Sequence, residues 1–186
     1  MLLIYFRIVY RIKVTGIENI PRDGGVVLCA NHQSIKDPII VGILVKRRVS
    51  FMAKKELFKN KIVGLVLKGI DVFPVERNST DLKAYKKAIK LLKKGKALGI
   101  FAQGTRSSEL DVSKGKSGAV FFALSAGVPI VPIGIRIEKS IFSKIYLNCG
   151  EAIYYDEQKG KKIKTELLDE LTSQLMVKID LCVKGK

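Results

Sequence analysis

Short apolar runs rich in β-branched residues recur along this chain, each followed by a stretch with helical spacing. That alternation restricts the fold more than any other feature. The runs Ile12–Val14, Gly25–Ala30, Val49–Ala53, Ile70–Val75, Leu98–Phe101, Ile130–Ile135 and Ile145–Gly150 read as strands. Between them, Ile39–Lys46, Lys61–Lys68, Asp81–Lys94 and Ser117–Ala126 fit helices, and a final helix runs from about Lys164 to Asp180. Strands joined through helices favour parallel neighbours, because a parallel pair needs a crossover. The expected fold is α/β, a single domain whose mixed, mostly parallel sheet is flanked by helices. The clearest helix is Asp81–Lys94, with Ser79 or Thr80 as its cap, Gly95 as its stop and Leu82, Tyr85, Ile89 and Leu92 as its apolar stripe. Its opposite face carries Lys83, Lys86, Lys87, Lys90, Lys93 and Lys94.

The formal charge is +17 over 186 residues, yet 47% of residues are hydrophobic and the mean hydropathy is +0.16. A disordered basic tail is excluded by that apolar content. What remains is a packed core under a lysine-rich surface, attractive to nucleic acid, anionic membrane or an acidic protein. A nucleic-acid-binding role is the rival in a different class. It is disfavoured because no aromatic-rich binding motif accompanies the charge.

Two apolar stretches test for membrane spans. Met1–Tyr10 is apolar except for Arg7, but ten helical residues reach only ~15 Å against a ~30 Å hydrocarbon core. Too short to span, residues 1–10 can lie instead in a membrane interface as a short apolar segment, should the substrates be lipids, with residues 11–186 as the folded domain. Ser117–Ile135 has no charge over nineteen residues, but Gly127, Pro129 and Pro132 divide it into helix and strand.

The chain has one histidine, His32, in Asn31-His32-Gln33-Ser34-Ile35-Lys36-Asp37. Histidine exchanges protons near neutral pH, and a carboxylate five residues on can hold the ring. A lone histidine beside a strand is more often a surface or satisfied core residue, so the rest of the chain decides its role. Cys29, Cys149 and Cys182 show no CxxC spacing, and a single histidine completes no zinc set, so no metal is expected. Cys29 lies three residues before His32, which raises a cysteine–histidine hydrolase. The end of an apolar strand is where a small buried hydrophobe is expected instead.

A second cluster, Phe101-Ala102-Gln103-Gly104-Thr105-Arg106-Ser107, follows an apolar strand. Glycine admits close backbone approach, threonine offers a hydroxyl and arginine grips a phosphate through paired donors. Lys114 and Lys116 precede the Ser117 helix, whose first amides also favour an anion. Ile70–Arg77 is a strand ending in Glu76-Arg77, where Arg77 is either a further anion contact or half of a surface ion pair. Val128-Pro129-Ile130-Val131-Pro132-Ile133 forms a turn and strand edge whose side chains pack or line an apolar groove.

In this order, the four blocks resemble the glycerolipid acyltransferases of the lysophosphatidate acyltransferase family, over about residues 10–150. The family's His-x4-Asp motif falls on His32 and Asp37. Its arginine-ended block is similar to Ile70–Arg77, its Phe-Pro-Glu-Gly-Thr-Arg-Ser block to Phe101–Ser107, and its Val-Pro-Ile-Val-Pro block to Val128–Pro132. Ala102 replaces the proline, and Gln103 replaces the glutamate, keeping shape and hydrogen bonding without the charge.

The resemblance implies transfer of a fatty acyl group from acyl-CoA or acyl-acyl carrier protein to the free hydroxyl of 1-acylglycerol 3-phosphate (lysophosphatidate), giving phosphatidate. His32 would be the general base and Asp37 its orienter. Gln103, Gly104, Thr105 and Arg106, with Arg77 and Lys116, would hold the acceptor's phosphate. No metal or cofactor is required, and the implied partner surface is the anionic cytoplasmic face of the cell membrane, bound peripherally. Within the same class, the alternative acceptor is another lysolipid, such as an ornithine-type lipid. On a continuous helix a spacing of five sets side chains ~140° apart, so His32 should precede the helix that carries Asp37.

Overall fold

The five residues Val26-Val27-Leu28-Cys29-Ala30 are apolar without alternation, the pattern of a strand covered on both faces. In the computed structural model they form β2 (Val26–Ala30), buried at every position. The structure describes residues 10–60, 64–65, 67, 69, 71–76, 81–138, 144–158 and 162–185. Around β2 lie β1 (Arg11–Thr15), β3 (Val49–Lys54), β4 (Val72–Val75), β5 (Ala97–Phe101), β6 (Ile130–Glu138) and β7 (Lys144–Cys149), in the order β1-β7-β6-β2-β5-β3-β4. Every pairing is parallel except β6 with β7. The sheet is thus mixed and mostly parallel, as the alternation of elements implies.

Four helices whose full length is described cover it: α1 (Asp37–Leu44), α2 (Leu82–Lys93), α3 (Gly118–Ala126) and α4 (Thr165–Lys184). Alternate residues of β2 feed two cores. Leu28 and Ala30 pack with Ile40 and Val41 of α1, whereas Val27 and Cys29 pack with Leu92 of α2, Val120 of α3 and Ile179 of α4. Burial of these side chains is the main stabilising contribution, at ~25 cal/mol per Å² of apolar surface. Ile130, Val131 and Ile133 are fully buried and fill core, whereas Val128 and Pro129, at the start of the same block, line a cleft of about 290 Å³ with Leu124 and Tyr154.

Several boundaries differ from those read in the sequence. α1 begins at Asp37 rather than Ile39, because Pro38 sits in the first turn, where its missing N–H costs nothing. Asp81, not Ser79 or Thr80, caps α2, its carboxylate accepting from the Ala84 N–H at 3.0 Å. α4 continues to Lys184 and ends on left-handed Gly185. Gly64, Leu65, Leu67 and Gly69 are helical, and the rest of the expected Lys61–Lys68 helix lies outside the described residues. So do residues 1–9 of the expected interface segment and Arg77.

Candidate active site

The site forms at the carboxyl edge of the parallel strands, where β2 and β5 end side by side with Ala30 opposite Phe101. Asn31 is buried at 1% exposure and extends the β2–β6 ladder with its side chain. Its Nδ2 donates to the Ile135 carbonyl at 2.8 Å and its Oδ1 accepts from the Ile135 N–H at 2.7 Å. The chain is therefore anchored up to the residue before His32 and free to turn after it.

His32 Nδ1 lies 2.8 Å from Asp37 Oδ2, and the side chains are 16% and 0% exposed. The same Oδ2 accepts the Gln33 and Ser34 N–H groups, each at 2.7 Å. With two amides aimed at it, that oxygen carries no proton, so the hydrogen bond to histidine runs from Nδ1–H to the carboxylate. Assigned this way, Nε2 keeps its lone pair and is the basic atom. Asp37 is the first residue of α1 and His32 lies five residues before it, so the two meet across the turn rather than along the helix. Asp37 Oδ1 is buried with no hydrogen-bond partner among the described residues.

The second loop is tied to the first. The Ala102 N–H donates to the Ala30 carbonyl at 2.8 Å, the Ser107 N–H to the His32 carbonyl at 2.8 Å, and Gln33 Nε2 to the Ser108 carbonyl at 3.1 Å. Gly104 turns the loop at φ 68°, a conformation that disfavours other residues, and its N–H donates to the Phe101 carbonyl at 2.9 Å. The Lys116 N–H closes onto the Ala102 carbonyl at 2.8 Å, placing its Cγ 3.7 Å from where a Cβ on residue 104 would sit. Gln103 is buried at 7% exposure, while Thr105, Arg106 and Lys116 are exposed.

Of the residues singled out in the sequence, His32, Asp37, Gln103, Gly104, Thr105, Arg106 and Lys116 thus belong to two joined loops. Lys114 is instead engaged by Asp111 at 2.9 Å. Glu76 pairs with Lys55. Sequence reasoning missed Asn31, whose only signal is a polar residue directly after a fully apolar strand. It also missed the ring of Phe101, stacked on His32 with centroids 3.9 Å apart and planes 15° apart.

Cys29 does not share this edge. Its side chain is completely buried in the core opposite to that of Ala30, and burial pushes its thiol up to about 12. Such a thiol is a poor source of thiolate, and the cysteine–histidine alternative has no nucleophile. Among the described residues no group of three or more histidine, cysteine or acidic side chains could hold a metal ion.

A mostly apolar cleft of about 220 Å³ opens beside α1, lined by Pro38, Ile39, Gly42, Ile43, Arg48, Val49, Phe51 and Gly69. It begins one residue past Asp37. An imidazole held by a buried carboxylate, joined to a loop with exposed cationic side chains and flanked by an apolar cleft, suits proton abstraction from an amphiphile bearing an anionic group.

The acyltransferase family model matches residues 11–136, more than half of the chain, and the chain belongs to that family. It is 37% identical over 181 residues to the 1-acyl-sn-glycerol-3-phosphate acyltransferase of Bacillus subtilis, covering 91% of this chain and 90% of that one. A Borreliella burgdorferi protein of the same name is 34% identical over 147 residues, covering 77% of this chain and 59% of its own length. The crystal structure of the 1-acyl-sn-glycerophosphate (LPA) acyltransferase PlsC from Thermotoga maritima superposes with a TM-score of 0.69 at 27% identity. That match covers 95% of this chain and 72% of the other.

Proposed function

We propose that this enzyme transfers a fatty acyl group from a thioester to the sn-2 hydroxyl of 1-acylglycerol 3-phosphate, giving phosphatidate for phospholipid synthesis. The observation that carries the proposal is the 2.8 Å contact of His32 Nδ1 with a carboxylate oxygen already fixed by two backbone amides. His32 Nε2 takes the hydroxyl proton as the oxygen attacks the thioester carbonyl. The intermediate collapses, an ester C–O bond replaces the C–S bond, and the departing sulfur takes the proton back from His32. Asp37 keeps Nδ1 as a donor throughout and stabilises the transient imidazolium, which is the division of labour in other histidine–carboxylate pairs.

Gly104, Thr105, Arg106 and Lys116, beside the buried Gln103, hold the acceptor's phosphate, and Arg77 is their proposed companion. Acyl-CoA and acyl carrier protein both suit the +17 surface as donors. Membrane attachment is peripheral, at the cytoplasmic face, through the apolar N-terminal segment and the lysine-rich surface together. Ile35 and Leu57, 72% and 48% exposed on the segments after β2 and β3, would add apolar contact at the edge that carries His32. No helix among the described residues is long and apolar enough to cross a membrane.

The test is acyl transfer with lysophosphatidate and with monoacylglycerol, using both donors, read by mass spectrometry of the product. Phosphatidate from the wild type and none from His32→Ala is expected, the base contributing about 10²–10⁴-fold. Near-normal turnover by His32→Ala sinks the assignment. Binding to anionic vesicles should weaken as salt rises from 0.1 to 1 M and the Debye length falls from ~10 to ~3 Å.

A further inference from the structure

Three rings are layered at the carboxyl edge of the sheet. β5 lies between β2 and β3, so Phe101 lies between the ring of His32, 3.9 Å away at 15°, and that of Phe51, 6.0 Å away at 13°. The register builds this stack, with Ala30 opposite Phe101 and Phe51 opposite Gly99. Gly99 is what gives Phe51 room. A Cβ at that position would sit 2.1 Å from Phe51 Cε1 and 2.5 Å from Cδ1, so any larger residue displaces the ring.

We propose that Phe101, seated by Phe51 and Gly99, is a positioning residue that holds the His32 ring face and favours its charged form during acyl transfer. The inference rests on His32 being the base. Asp37 grips one edge of the imidazole, through Nδ1, and leaves the ring able to tilt about that bond. Phe101 closes one face and removes that freedom, so Nε2 stays aimed at a fixed point. When Nε2 gains a proton the ring becomes a cation lying on the negative face of a phenyl group, an attraction the neutral ring lacks. A contact that strengthens only as charge develops lowers the barrier without tightening substrate binding. The consequence is a loss in kcat, not KM, when the phenyl ring is removed.

The test uses the full chain with lysophosphatidate and acyl-CoA, comparing Phe101→Leu, Phe101→Met and Phe101→Tyr. Leucine and methionine fill space without a π face and should lower kcat roughly 3- to 30-fold. KM should move less than about twofold in both, and Phe101→Tyr should keep kcat within about twofold of wild type. His32 is the chain's one histidine, so its ring C–H resonances are identified without assignment. They should move downfield in the leucine and methionine variants, where the stacked ring's shielding is gone, and stay in place in the tyrosine variant. Unchanged kcat in the leucine and methionine variants despite moved resonances overturns the proposal. So does a tyrosine variant as slow as leucine with its resonances in place. His32→Ala separates the two layers of argument. If it turns over normally, the base assignment itself is wrong, whereas an inactive His32→Ala beside a fully active Phe101→Leu removes only the stack.

Discussion

Asp37→Asn probes the centre of the site with the least geometric disturbance. All three donors around residue 37 converge on one oxygen: His32 Nδ1–H at 2.8 Å, and the Gln33 and Ser34 N–H groups at 2.7 Å each. An asparagine carbonyl can occupy that point and accept from all three, so the tautomer and the turn survive. The charge is lost, and the amide NH2 takes the place of Oδ1, which is buried without a hydrogen-bond partner among the described residues, so some stability is lost with it. Bonds to a carboxylate are about twice as strong as neutral ones, and a charged hydrogen bond contributes ~1.5–3 kcal/mol. The bond that changes most between ground and transition states is the one to the imidazolium, because the two amides never change charge. Assigning that loss to the barrier gives a fall in kcat of roughly 10- to 150-fold at ~1.4 kcal/mol per tenfold. Steady-state kinetics with lysophosphatidate should show this fall with KM nearly constant and the His32 resonances little moved. Asp37→Ala is the harsher contrast, leaving the two half-buried N–H groups of Gln33 and Ser34 without their acceptor, at up to about 1–3 kcal/mol each, and its melting temperature should drop. A normal kcat in Asp37→Asn, or a defect confined to KM, refutes the argument that the carboxylate acts through the imidazolium.

Arg106→Ala should cut kcat/KM for lysophosphatidate by roughly 10- to 150-fold through loss of a charged hydrogen bond, and leave the low rate with monoacylglycerol unchanged. Equal losses on both acceptors would place the phosphate elsewhere. Cys29, with its thiol pushed up to about 12 by burial, should resist alkylation of the folded protein at pH 8 and react fully in denaturant. Cys29→Ser should retain acyl transfer. The Asp111 carboxyl is held down to about 2, first by the Ser113 hydroxyl, then by Lys114 and the Ser113 N–H. Its folded value lies below the unfolded ~3.9, so its anchoring of the 112–114 turn is complete above that value and is lost as pH falls towards 2. The Ser113 amide resonance should therefore be constant from neutrality to about pH 4 and move below it.

What the sequence makes legible is set by how far apart the cooperating residues lie. His32 and Asp37 are five apart, and helix geometry alone requires the histidine to stand outside the helix, as α1 does by starting at Asp37. The order of strands and helices is legible for a similar reason, since each element carries its own periodicity and the crossovers restrict the pairing. Boundaries are less so. Pro38 reads as an interruption in a one-dimensional pattern, yet at the first turn of a helix it fits, which moves the start of α1 two residues earlier than expected. The stack on His32 is not legible at all. Phe101 is 69 positions from His32, and the two meet because β2 and β5 align Ala30 with Phe101, a register that no local pattern encodes. A shift of one residue in that pairing would turn Phe101 to the other face and set a different side chain against the imidazole. The motif therefore supplies the histidine and its carboxylate locally, while the surface on which the imidazole rests is a property of the assembled sheet. Gly99 illustrates the dependence: its meaning lies wholly in the Phe51 ring on the neighbouring strand. Gly99→Ala, inside β5 and outside both loops of chemistry, should then disturb the site only by pressing Phe51 towards Phe101.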